Sequence, residues 1–207
     1  MWHVVARSMK GRRLFGTWAE GLEVWDTLVR VVPEPEALCV MPDHVHVVCA
    51  ADVRRPLAQG LAGLARRRNE REGRGGPLME PLPLAQAIEG GQKLRRSVRY
   101  VHLNPCRVGL VDDPLAWPLS THRDAVGLTW RPVGPRRGDR FHDYVSADPT
   151  VAVDGSDLPG GALGSDDPVE VAMAVACVMR TPMDRLGRVP LGRSAVRQAC
   201  HQFCPTP

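Results

Sequence analysis

The chain has 207 residues, 43% of them hydrophobic, and a formal charge of +4. That length allows one domain of ordinary size plus a smaller one around a real core, which excludes a disulfide-stapled mini-protein. No apolar run approaches the roughly 20 residues that span a bilayer, and the opening "MWHVVARSMKGRR" lacks the order of a signal peptide, so a cytoplasmic, nucleoid-associated location without a membrane partner is expected.

In chain order, "WHVVARSM" alternates apolar and polar residues as a half-buried strand does, and "KGRR" turns it. "AEGLEVWDTLVRVV" places Leu22, Trp25, Leu28, Val29 and Val32 at helical spacing, and Pro33 and Pro35 end it. "EALCV" and "HVHVVCA" read as two short strands joined through "MPD", hence a hairpin. "RPLAQGLAGLARRRNERE" is a second amphipathic helix with Leu57, Leu61 and Leu64 on one stripe. "GRGGPLMEPLPLAQ" breaks regular structure. A third helix is expected from about Leu84, broken near "EGG"; it turns Leu94, Val98 and Val101 inward and ends at Asn104, before Pro105.

"WPLSTHRDAVG" closes the domain. The order strand, helix, strand, strand, helix, helix predicts an α+β fold, an antiparallel sheet covered by helices on one side. Three parts follow: a domain over 1–130, a Pro/Gly-rich acidic linker over 131–167, and a small all-α, helix-turn-helix-like unit over 168–207. With "GRSAVRQACHQF" at its end, that last unit resembles the helix-turn-helix domain of bacterial replication initiators, which implies that this stretch is a recognition helix with Arg193 and Arg197 facing DNA, unless the unit is a helical cap or dimerisation element.

Charge is segregated along the chain. From Arg54 to Arg107 twelve Lys or Arg face four acids, whereas Asp143 to Glu170 holds seven acids and no Lys or Arg. A polyanion-binding first part is the expectation, with Arg66, Arg67 and Arg68 among its contacts. The six cysteines (Cys39, Cys49, Cys106, Cys177, Cys200, Cys204) form no CxxC pair and read as reduced apolar fillers.

The chemistry concentrates in two short stretches. In "MPDHVHVVCA", His44 and His46 are two apart on a strand and share a face. In "RYVHLN", Tyr100 and Asn104 are four apart on a helix and share a stripe. Two imidazoles and an amide oxygen could hold a divalent ion that polarises a phosphodiester, beside a phenol able to act as nucleophile. Lys93, Arg95, Arg96 and Arg99 lie on the same helix and could grip a DNA backbone.

"MPDHVHVV", "RYVHLNPCRVGLV" and "WPLSTHRD", with the opening "WHVVARSMKGRRLF", resemble in order the blocks of the single-tyrosine HUH transposases, particularly the REP-associated tyrosine transposases. The resemblance spans about residues 1–127. It implies a ferredoxin-like core, a Mg²⁺ or Mn²⁺ requirement, single-stranded or hairpin DNA as partner, and cleavage with strand transfer through a 5′-phosphotyrosine. By it His44 and His46 are the metal-binding pair, Tyr100 is the nucleophile and Asn104 completes the metal shell.

An aromatic, basic strand-like block expected before Tyr100 is absent; "GGPLMEPLPLAQAIEGGQ" is Pro-rich with no aromatic residue. Scarce aromatics favour recognition of a folded hairpin through phosphates and base edges over a stacking platform. Two competing readings are a non-cutting regulator that binds hairpin repeats and a hydrolase with Zn²⁺ on His44 and His46, although no third charged ligand is evident. A homodimer stays open. Of the remaining residues, His102 is expected on the surface, Asp43 caps the turn or sits near the ion, His3, His122 and His142 are unassigned, and Trp2, Trp18, Trp25 and Trp117 are core anchors.

Overall fold

In the computed structural model, which describes residues 1–73, 75–81, 83–129, 132–138, 140–147, 168–179, 181, 183–188 and 192–197, the opening alternation becomes β1, Trp2–Arg7. Helix α1 (Trp18–Val31) starts at a capping box: the Glu20 N–H donates to Thr17 Oγ1 at 3.3 Å, and the Glu20 carboxylate accepts from the Thr17 N–H at 3.3 Å and the Gly16 N–H at 2.7 Å. The hairpin forms as expected from β2 (Ala37–Val40) and β3 (His44–Cys49). Helix α2 (Arg54–Glu72) follows and stops at Gly73, whose φ of 61° suits a residue without a Cβ.

Leu84–Ala87 is a strand, β4, and not the start of a helix. Pro81 and Pro83 discourage helix there, and the free edge of β1 offers antiparallel pairing from Val5↔Leu84 to Trp2↔Ala87. The third helix, α3 (Gly91–Arg107), begins after Gly90 at φ 81° and continues three residues past the expected stop at Asn104. Pro105 removes one hydrogen bond near the helix end. Burial of Leu103, Asn104 and Pro105 offsets that loss, and the Leu110 N–H donates to Pro105 O at 2.9 Å.

The order β1-α1-β2-β3-α2-β4 with sheet order β2-β3-β1-β4, every pair antiparallel, is the ferredoxin-like split β-α-β arrangement. Val4, Ala6, Val45 and Val47 project to one face, where they join Leu22, Trp25, Leu28, Leu57, Leu61 and Leu64 of α1 and α2 in the main core. At Gly60 a Cβ would stand 3.2 Å from Val31 Cγ1 and 3.3 Å from Thr27 Cγ2, so α1 and α2 approach closely there.

The α+β class is as expected, but the helices are not confined to one side. Helix α3 packs on β2 and β3 across the opposite face and buries Val98 and Val101 completely or nearly so. Each such side chain contributes about 1.5–3 kcal/mol relative to exposure.

The "WPLSTHRD" block seals the free edge of β2. Trp117 Nε1–H donates to Val40 O at 2.9 Å, the Val40 N–H donates to Leu119 O at 2.8 Å, and the Leu38 N–H donates to Thr121 Oγ1 at 2.9 Å. A 3₁₀ turn, Pro114–Ala116, precedes the block, and α4, His122–Ala125, begins within it. Inside the stretch read as linker lies α5 (Arg140–Ser146), whose Phe141 and Val145 pack on Leu103 and Cys106 of α3. Residues 130–131, 139 and 148–167 fall outside the described ones.

Helices α6 (Pro168–Met179) and α7 (Met183–Leu186) bring Ala176 and Leu186 into the main core, with α6 against α1 and Arg185 bonded to Asp26 at 2.9 Å. Residues 192–197 are helical with Arg193 and Arg197 exposed, whereas 198–207, the rest of the candidate recognition helix among them, lie outside the described residues. Cys39 and Cys49 are buried free thiols, and burial pushes the Cys49 thiol up to about 11. Trp25 and Trp117 are core anchors as expected, but Trp18 is 39% exposed and leans on Trp117 with centroids 5.2 Å apart. Among the described residues no helix is long and apolar enough to cross a membrane.

Candidate functional site

The site lies on the α3 side of the sheet. In the antiparallel register Arg7 stands opposite His44, Val5 opposite His46, Leu84 opposite Val5 and Gln86 opposite His3, so these side chains share that face. His44 and His46 are 7% and 2% exposed, and their rings meet edge-on with centroids 4.7 Å apart. The Asp43 carboxylate accepts from His44 Nδ1 at 2.6 Å. That bond leaves Nε2 as the outward lone pair, the arrangement in which carboxylates orient metal-binding imidazoles. Asp43 therefore stands beside the histidine pair, the second of its two expected places.

His46 is held on both sides. Asn104 Nδ2 donates to its Nε2 at 2.8 Å, and His3 Nε2 lies 3.0 Å from its Nδ1. Burial, then the charges of His44, His3 and Arg7, push His46 down to about 2, so the ring is neutral in any physiological buffer, the form that binds metal. Tyr100 meets His46 edge-on, centroids 5.5 Å apart at 90°, is 41% exposed, and lies under the Arg107 guanidinium at 5.4 Å. The four residues singled out by spacing, His44, His46, Tyr100 and Asn104, therefore converge from two elements.

A groove of about 510 Å³ opens beside them, bounded by His3, Arg7, His46, Gln86, Arg96 and Tyr100. A slightly larger cavity of about 560 Å³ between α2 and residues 76–81 has neither histidine nor tyrosine in its walls and is unrelated to this chemistry. Among the described residues no three His, Cys, Asp or Glu side chains are grouped to hold a metal, so a set of His44, His46 and Asn104 depends on the Asn104 amide. The donors fit that use. Two neutral nitrogens and an amide that presents its oxygen after a half-turn leave the remaining positions to water and phosphate oxygen, as Mg²⁺ and Mn²⁺ prefer.

The expected DNA contacts divide. Arg96 reaches the groove, and Lys93 and Arg95 are exposed on the first turns of α3. Arg99 turns toward α5, its Nε–H donating to Val145 O at 3.3 Å and its guanidinium 5.1 Å from the Tyr144 ring. Arg66 and Arg67 are exposed on α2, across the sheet from Tyr100. Arg68 is no surface contact: it is 6% exposed and donates to Leu14 O and, at 2.8 Å, to Glu20 O, tying α2 to the start of α1.

His102 is also corrected. It is 1% exposed and bonded to Thr121 Oγ1 at 3.0 Å, because α3 is covered by the sheet on one flank and by α4 and α5 on another. From it a chain of rings runs inside the protein, His102 Nδ1 to His122 Nδ1 at 3.3 Å, His122 Nε2 to His142 Nδ1 at 3.0 Å, and His142 Nε2 to Asp113 Oδ2 at 3.6 Å. Burial, then the charges of His142 and Arg123, push His122 down to about 3. For His3, strand alternation gives a face but not a neighbour, and the β1–β3 register supplies that neighbour as His46.

No protein-family model matches the chain, and no curated protein matches it. It is similar to a solved structure of a REP-associated tyrosine transposase bound to a REP hairpin, at 20% identity and a TM-score of 0.46, over 64% of this chain and 82% of that one.

Proposed function

We propose that the protein cleaves and rejoins single-stranded or hairpin DNA through a covalent bond to Tyr100, with Mg²⁺ or Mn²⁺ held by His44, His46 and Asn104. The observation that carries this reading is the juxtaposition of an exposed phenol with a buried neutral His46 that Asn104 bonds from the same helix stripe. When bound, the ion supplies Lewis acidity at a phosphate oxygen.

The rest is the work of the chain. Tyr100 Oη attacks phosphorus as the P–O3′ bond breaks; the phenol proton leaves to solvent, the 3′ oxygen takes up a proton, and a 5′-phosphotyrosine remains. The phosphodiester is exchanged and not hydrolysed, so a second 3′-OH can reverse the step and join strands without ATP. Arg96 at the groove and Lys93 and Arg95 beside it supply phosphate contacts.

The test is a labelled hairpin oligonucleotide incubated with the full chain and Mn²⁺. An adduct stable in denaturing gel is expected for the wild type and none for Tyr100→Phe. An adduct that persists in Tyr100→Phe refutes the assignment, and DNA binding without any adduct in the wild type identifies a non-cutting hairpin binder instead.

A further inference from the structure

His3 takes no part in the steps above, yet it completes His46. The two rings stack with centroids 5.2 Å apart and 30° between planes, and His3 Nε2 stands 3.0 Å from His46 Nδ1. His3 is two residues along β1 from Val5, the residue directly opposite His46, a diagonal position on the same sheet face within reach of an aromatic ring. Gln86 of β4 lies directly opposite it on its other side.

The protons of this pair can be assigned. Asn104 Nδ2 can only donate, so His46 Nε2 accepts. A neutral imidazole has one donor and one acceptor, so the His46 proton is on Nδ1 and is given to His3 Nε2. His3 in turn carries its proton on Nδ1. This is the tautomer in which His46 Nε2 keeps a lone pair for an ion once the Asn104 amide turns its oxygen inward. With no acceptor at Nδ1, both tautomers of His46 would be populated, and one of them points N–H at the metal position.

We infer that His3 is a positioning residue for the metal site: by accepting the His46 Nδ1–H it fixes the tautomer and ring plane that aim His46 Nε2 at the ion. The inference rests on the metal reading of His44, His46 and Asn104. His44 receives the equivalent service from Asp43 at 2.6 Å, so the two imidazoles are oriented by unlike partners, one a carboxylate and one a neutral ring.

Two measurements on the full chain test it, with His3→Phe removing the acceptor and His3→Gln replacing it with an amide oxygen. In metal-free protein, ¹⁵N shifts of the His46 ring should show a protonated Nδ1 in the wild type and mixed tautomers in His3→Phe. In Mn²⁺ titrations followed by the resonance of the free ion, His3→Phe should bind about 10–100-fold more weakly, and His3→Gln should recover most of the loss, melting curves confirming that all three are folded. A wild-type His46 protonated on Nε2, or a folded His3→Phe that binds Mn²⁺ like the wild type, overturns the role of His3 alone. A wild type that takes up no Mn²⁺ while His46 keeps its Nδ1 proton overturns the metal reading and this role together.

Discussion

Mild acid should destabilise this protein well above the pH at which its carboxylates protonate. His46 and His122 are buried neutral, pushed by burial from an ordinary value of 6.5 to about 2 and about 3. Below pH 6.5 the unfolded chain binds a proton on each ring that the folded chain refuses, so the unfolded state holds more protons and stability falls as pH falls from 6.5 toward 3. At pH 5 each ring accounts for about 2 kcal/mol, or about 4 kcal/mol together, at about 1.4 kcal/mol per pH unit. His3, lowered by burial, adds to the same trend. With a slope of about 2 kcal/mol per molar urea, the unfolding midpoint should drop by about 2 M between pH 7.5 and pH 5 in the presence of EDTA. His122→Phe should be less stable throughout but should lose only about half as much between the two pH values. Equal midpoints at both pH values in the wild type, or an undiminished fall in His122→Phe, would refute the reasoning.

Arg68→Met should cost about 2–4 kcal/mol, because the buried Leu14 O and the partly buried Glu20 O both lose a donor; urea unfolding checks the cost, and a stable variant with weakened DNA binding would restore Arg68 as a nucleic-acid contact. Arg96→Gln should reduce the slope of log affinity for a hairpin oligonucleotide against log salt by about 1 and Arg67→Gln should leave it unchanged. The reverse result would move the DNA path to the α2 side. Tyr100→Phe should abolish the covalent adduct while leaving hairpin affinity within about twofold, since the phenol oxygen adds no phosphate charge contact.

Periodicity made most of the ferredoxin-like core legible, because β1, α1, the hairpin and α2 each carry an apolar face of the right period. It could not reveal β4, whose four residues are mostly exposed and which exists because the edge of β1 pairs with it. Nor could it reveal α5, a single apolar cluster that becomes a helix against Leu103 and Cys106. The site splits along the same line. The histidine pair and the Tyr100–Asn104 pair were readable because spacing within one element encodes a shared face. His3 was not, since its contact depends on the strand register. Arg68 carried a signal that was available: Leu57, Leu61, Leu64 and Arg68 follow one another at intervals of four, three and four, so the arginine continues the buried leucine stripe of α2.

The economy of the site lies in the two aspects of α3. Arg96, Tyr100 and Asn104 recur every fourth residue, so one stripe presents a cation at the groove, a phenol and an amide in sequence along the helix. The neighbouring stripe, Val98, Val101 and His102, is buried, and His102 is tied through Thr121 to the backbone of β2. A slip of one residue along the axis would move the helix by about 1.5 Å and turn it by about 100°, taking the phenol off the histidines. The same slip would strip Leu38 N–H of its hydroxyl acceptor's ring partner and expose two valines. The contacts that fix the helix and the placement of Tyr100 against His46 are therefore set by one register, so the Thr121 network that holds α3 also holds the phenol edge-on to that ring.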